Sequence, residues 1–83
     1  MTLLYFAWVR QKVGKSEEQM ALPAGEIAAL IAHLKSLGPN YAEAFADLSR
    51  VRVAVNQNHA GLDAKFGPDD EVAFFPPVTG GCG

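Results

Sequence analysis

The sequence predicts an α+β domain in which a sheet wraps one main helix, and three features carry that prediction. A β-rich run opens the chain at Thr2–Val9, and another, Glu71–Phe75, comes close to its end. Between them Ile27, Leu30, Ile31, Leu34 and Leu37 repeat at the spacing of one buried helical stripe. Val51, Val53 and Val55 alternate with Arg52 and Ala54, the period of a half-buried strand. Strands segregated around a single helix make an α+β layer architecture. The length, 83 residues, allows one domain with a modest core. Hydrophobic residues at 49% and charged ones at 19% describe a globular chain rather than a disordered one.

Taken in order, Thr2–Val9 reads as a strand apolar on both faces, with Leu3, Tyr5, Ala7 and Val9 on one and Leu4, Phe6 and Trp8 on the other. Arg10–Ser16, which contains Gly14, reads as a polar turn. Glu17–Leu22 follows as a second strand with Met20 and Leu22 facing inward, paired to the first as a hairpin. Pro23-Ala24-Gly25 punctuates the chain before the main helix, where Glu26 suits the positive N-terminal end. Gly38-Pro39 stops that helix. Asn40 with Glu43 resembles a capping box for a short second helix carrying Tyr41, Ala44, Phe45 and Leu48 on one side. Residues 56–62 read as loop, Ala64–Phe66 as a brief edge strand, and Gly67-Pro68-Asp69-Asp70 as a turn.

Several function classes are disfavoured. A formal net charge of −2 argues against a nucleic-acid binder, which needs a basic face. A single cysteine excludes an internal disulfide and a cysteine-built zinc or iron–sulfur site. Leu3–Val9 is too short to span a membrane and lacks the basic flank of a signal peptide, so a cytoplasmic protein without a membrane partner is expected. His33 reads as solvated on the helix, and His59 as a loop residue open to a contact role; no metal site is expected. Asp69, Asp70 and Glu71 read as a solvated turn rather than catalytic carboxylates. Alternation in Val72-Ala73-Phe74-Phe75 sets Phe75 opposite Val72 and Phe74. Phe6 and Phe75 then either share an exposed apolar patch or pack under a loop.

The end of the chain carries the most specific signal. Phe75 is followed by Pro76-Pro77, which stops a strand and stiffens the exit. Val78, Thr79, Gly80 and Gly81 add little bulk, and six extended residues from Pro76 reach roughly 20 Å. Residues 1–75 are therefore expected to fold as a domain, and 76–83 to leave it as a tail. The string D-E-V-A-F-F-P-P-V-T-G-G, together with Tyr5-Phe6-Ala7-Trp8-Val9-Arg10, Gly14 and Ala54-Val55-Asn56-Gln57, closely resembles the small subunits of molybdopterin synthase, which are ubiquitin-like sulfur carriers. The chain departs from that family by continuing past Gly81 with Cys82-Gly83.

The resemblance implies a β-grasp fold, a mixed sheet on one main helix with the first and last strands adjacent at its centre. It implies a carrier subunit without catalytic side chains or bound cofactor, whose reactive group is the Gly81 carboxyl once the chain ends there. An ATP-using, ubiquitin-activating-type enzyme would adenylate that carboxyl, sulfur would replace oxygen, and the tail of Pro76, Pro77, Val78, Thr79 and Gly80 would thread into the large subunit of molybdopterin synthase. Phe6 and Phe75 match partner-docking positions of the family, and His59 stands where relatives often carry an apolar patch residue. Cys82-Gly83 is open to three readings: an extension removed by a protease, an adventitious tail, or a sulfur-carrying thiol. Other acceptors (thiazole, cysteine or tRNA thiolation) and an inert-ended β-grasp interaction module are the alternatives.

Overall fold

Two strands from opposite ends of the sequence, β1 (Thr2–Tyr5) and β7 (Glu71–Phe75), lie side by side and parallel in the computed structural model, which describes residues 1–77. Their register pairs Leu3 with Val72 and Tyr5 with Phe74. Both strands send every second side chain to the same side, and Leu3, Tyr5, Val72 and Phe74 are all buried there. β4 (Arg52–Val55) flanks β7 antiparallel, and β2 (Glu17–Gln19) flanks β1 antiparallel. With β5 (Asn58–Ala60) the five-stranded sheet runs β2-β1-β7-β4-β5. A separate pair, β3 (Gly25–Glu26) with β6 (Lys65–Phe66), closes over the start of the main helix, α2 (Ile27–Lys35). This mixed sheet on one main helix is the β-grasp arrangement.

The opening strand is shorter than its apolar run suggested. It ends at Tyr5, Phe6 remains extended, and Ala7 turns the chain at φ 53 into α1 (Ala7–Val13). That left-handed conformation costs an L-residue about 1–2 kcal/mol. What repays it is the burial of Val9 and Val13, spaced i and i+4 on one helical face. The alternation of Ala7 with Val9 was equally compatible with a strand. The expected polar turn at 10–16 is thus mostly helix, and Gly14 at φ 94 terminates it, donating its N–H to the Arg10 carbonyl at 2.8 Å. β1 and β2 do pair, but through this helix rather than as a tight hairpin, and β2 stops at Gln19 short of Leu22.

The main helix buries Ile27, Leu30, Ile31 and Leu34 as its stripe predicts. No side chain caps its start. The Ile27 and Ala28 N–H groups instead donate to the carbonyls of Ala64 and Leu62, each at 2.9 Å. Leu37 falls beyond the last turn and is 46% exposed, so the stripe ends one member early. Pro39 occupies the first turn of α3 (Pro39–Ala44) with Gly38 as its N-cap, displacing Asn40 from the expected capping role. Asn40 donates its amide to the Val13 carbonyl at 2.8 Å, satisfying the end of the neighbouring α1. Glu43, the other half of the expected box, pairs with Lys12 of α1 at 2.6 Å.

The inner side of the sheet meets α2, α3 and α1 around Phe74, which stacks on Tyr5 at 5.9 Å and meets Phe45 edge-on at 4.9 Å. At the rim of this core Glu18 accepts hydrogen bonds from the hydroxyls of Tyr5 (3.1 Å) and Tyr41 (2.9 Å), while Lys15 reaches its second oxygen at 3.4 Å. Burial, reinforced by the Glu18 carboxylate, pushes both phenols above their ordinary range. A group whose pKa is raised on folding contributes stability that is complete below its unfolded value and lost as pH rises toward the folded one. Urea midpoints should therefore fall above about pH 10, and fall less steeply in Tyr5→Phe, which keeps the ring but loses the ionisable hydroxyl.

Candidate functional site

Among the described residues no helix lies across the outer side of the sheet. Side chains alternate, so the residues between the core positions face outward. Cross-strand register sets Leu4, Ala73, Ala54 and His59 in one row across β1, β7, β4 and β5. The next row toward the end of β7 holds Phe75 and its partner on β4, Arg52. Phe6 joins that row because its N–H donates to the Phe74 carbonyl at 3.0 Å, extending the β1–β7 pairing past the end of β1. Phe6 is 48% exposed and Phe75 half-buried. Neither packs under a loop in the core; both face the open side.

His59 joins them from an element the sequence did not suggest. Residues 56–62 were expected to be loop, yet Asn58–Ala60 form β5 and pair with β4. The connection is a two-residue turn in which Asn56 and Gln57 take φ values of 51 and 70, as a type I′ hairpin turn requires. Asn tolerates the left-handed region better than most residues, and the Asn56 amide ties the turn to the start of β7: it accepts from the Glu71 N–H at 3.0 Å and donates to Asp70 at 3.1 Å. An Asn followed by a polar residue after the β-rich run Val51–Val55 was the available signal, obscured by the absence of glycine and of β-formers in Asn58-His59-Ala60. The hairpin brings the His59 ring edge-on to Phe75 at 5.5 Å.

Phe6, Phe75 and His59 thus lie together on one face, at the end where the chain leaves β7. Pro76 and Pro77 follow as half-buried residues outside any strand. Val78, Thr79, Gly80 and Gly81, with Cys82 and Gly83, fall outside the described residues. Two further features went unread in the sequence. Trp8, assigned to a strand face beside Phe6, sits on α1 with the Arg50 guanidinium over its ring at 5.4 Å. Arg52 lies beside Phe75 on the open face. His33 is exposed on α2. Among the described residues no cluster of His, Cys, Asp or Glu has the makings of a metal site, and no helix is long and apolar enough to cross a membrane.

Residues 3–81 match the ThiS family. The chain belongs to the ThiS family. Among its relatives is the molybdopterin synthase sulfur carrier subunit of Escherichia coli K12, 39% identical over 95% of this chain and 96% of that protein. The protein of the same description from Mycobacterium tuberculosis is 34% identical over 98% and 96%. A solved structure from Pyrococcus furiosus, described as a molybdopterin converting factor subunit 1, superposes with a TM-score of 0.74 at 31% identity, covering 93% of this chain and 95% of that one. The small archaeal modifier protein 1 of Haloferax volcanii shares the fold at a TM-score of 0.77 and 23% identity, over 94% and 97% of the two chains.

The split between buried and open faces of β7 is testable in two adjacent residues. Phe74→Ala should cost about 3–5 kcal/mol in urea unfolding, as loss of a fully buried Phe does. Phe75→Ala should cost under about 1 kcal/mol, as open-face substitutions do.

Proposed function

We propose that this chain is the cytoplasmic sulfur carrier subunit of a molybdopterin synthase, working through a thiocarboxylate at Gly81. The observation that carries the proposal is the end of β7. The strand at the centre of the sheet sets Phe75 on the open face and delivers the chain, through Pro76-Pro77, toward Val78-Thr79-Gly80-Gly81. The names borne by its relatives in E. coli and M. tuberculosis support the same reading. Residues 1–75 form the docking body and 76–83 the working tail. The body contributes no reacting side chain.

The chemistry follows from what a glycine carboxylate can undergo. Unactivated, it resists nucleophiles. A ubiquitin-activating-type partner joins it to the α-phosphate of ATP, releasing pyrophosphate and leaving an acyl adenylate with AMP as leaving group. The terminal sulfur of a persulfide displaces AMP to give an acyl disulfide, and a second thiol reduces that disulfide to the thiocarboxylate. The tail then enters the large subunit, where two such carriers supply the two sulfurs of a dithiolene. Glycines at 80 and 81 suit a narrow channel because nothing projects from the backbone. Phe6, Phe75 and His59 form the surface that holds the large subunit while the tail is inserted.

Because Cys82-Gly83 follows Gly81, this reading requires their removal by a protease before activation. The same dipeptide favours the second reading, an interaction module whose terminus does no chemistry. The two separate on trimmed chains. A chain ending at Gly81 should gain sulfur with the activating enzyme, ATP and a persulfide donor, and should convert cyclic pyranopterin monophosphate with the large subunit. A chain ending at Gly80 should bind the large subunit within about twofold yet lose transfer, because its reach falls by roughly 3.5 Å. Equal behaviour of both chains would favour the inert module. Phe75→Ala should weaken binding of the large subunit by about 2 kcal/mol or more, read by calorimetry.

A further inference from the structure

The open apolar face continues around the tail exit into a cationic, aromatic collar. Phe6 and Phe75 are backbone neighbours through the Phe6–Phe74 hydrogen bond, and Arg52 is the cross-strand partner of Phe75. Arg50 lies two residues before Arg52 and places its guanidinium 5.4 Å from the centre of the Trp8 ring. Trp8 in turn follows Phe6 by two residues. Phe6, just past β1, leads into Trp8, and Arg50 leads into Arg52 of β4. β1 and β4 flank β7, so the Trp8–Arg50 contact joins the two sides of the end of β7, where Pro76 follows.

Its charge is not consumed within the domain. Among the described residues the ion pairs are Lys12–Glu43 and Lys15–Glu18, and neither uses an arginine. Asp47 feels the Arg50 charge, but its carboxylate is already engaged by the Ser49 N–H at 3.1 Å and hydroxyl at 2.6 Å. Arg50 and Arg52 are both exposed, and Trp8 is half-buried. A guanidinium resting on an indole is held in place and weakly hydrated, the state in which arginine pairs best across an interface. Arg52 stands beside Phe75 on β4 and Arg50 rests on the Trp8 ring of α1, so the two charges have different neighbours.

We infer that the Trp8–Arg50–Arg52 collar docks an acidic rim on the large subunit, around the mouth of the channel that admits the tail. The inference rests on the sulfur-carrier reading and adds the partner's charge. Carboxylates there would steer association and fix the rotation of the carrier about its tail, a register that the apolar Phe6/Phe75 surface alone leaves loose.

The test is binding of the large subunit by chains ending at Gly81, measured at low salt and at about 1 M salt, where the Debye length is about 3 Å. Arg50→Glu/Arg52→Glu should weaken binding about tenfold or more at low salt, mainly through slower association, and should approach wild type at high salt. Arg50→Gln/Arg52→Gln should show a smaller loss with the same salt dependence. Unchanged affinity in the Glu variant overturns the collar while leaving the carrier reading intact. So does a loss that persists at high salt, which marks disturbed packing instead. Failure of the wild-type chain to bind the large subunit at any salt overturns the carrier reading, and the collar with it.

Discussion

The parallel pairing of β1 with β7 is the constraint on which the rest of this structure depends. It joins the two ends of the sequence at the centre of the sheet, and its register decides what each face carries. With Tyr5 opposite Phe74, both aromatic rings turn inward and stack, and the Phe45 ring closes on Phe74 from the helical side. The same register turns Phe6 and Phe75 outward together. A slip of one residue would exchange the faces, exposing Phe74 and burying Phe75. The core and the open face are thus two consequences of one pairing, and the tail inherits its starting point from it.

The sequence made the arrangement legible where the side-chain period was unambiguous. Ile27 to Leu34 at helical spacing lie where their pattern put them, and so do Val53 and Val55 in β4, while Val51 is buried just before that strand begins. The inward and outward assignment of Val72 to Phe75 holds as well. Legibility failed where an apolar run served two periods at once: Ala7, Trp8 and Val9 read as strand, but the Val9 and Val13 spacing buries a helix after Ala7 turns the chain. It failed again where backbone geometry rather than hydrophobicity decides. Asn56-Gln57 makes a tight hairpin without glycine, and that hairpin, not a loop, brings His59 to Phe75. Asn40 and Glu43 have the spacing of a capping box, yet Pro39 already begins the helix, freeing both to fasten α1.

The candidate site was legible as a string and incomplete as a surface. Phe6, Phe75 and the Pro-Pro exit could be named from the resemblance, because each is a local feature of the chain. The collar could not, since Trp8, Arg50 and Arg52 are brought to the tail exit from three elements by tertiary structure. A division of labour emerges from this placement. In the proposed function the folded body would offer aromatic area and positive charge for docking, and reactivity would reside in the backbone carboxyl group of Gly81. Such a protein needs no buried catalytic group, and among the described residues no buried side-chain nitrogen or oxygen lacks a hydrogen-bond partner.

The most direct test of the central claim is the intact mass of the protein isolated from its own cells. A species ending at Gly81 with sulfur in place of one terminal oxygen is the predicted result, establishing both the trimming and the sulfur carriage. A population ending uniformly at Gly83, with no sulfur gained, would contradict the account and leave a docking module in its place.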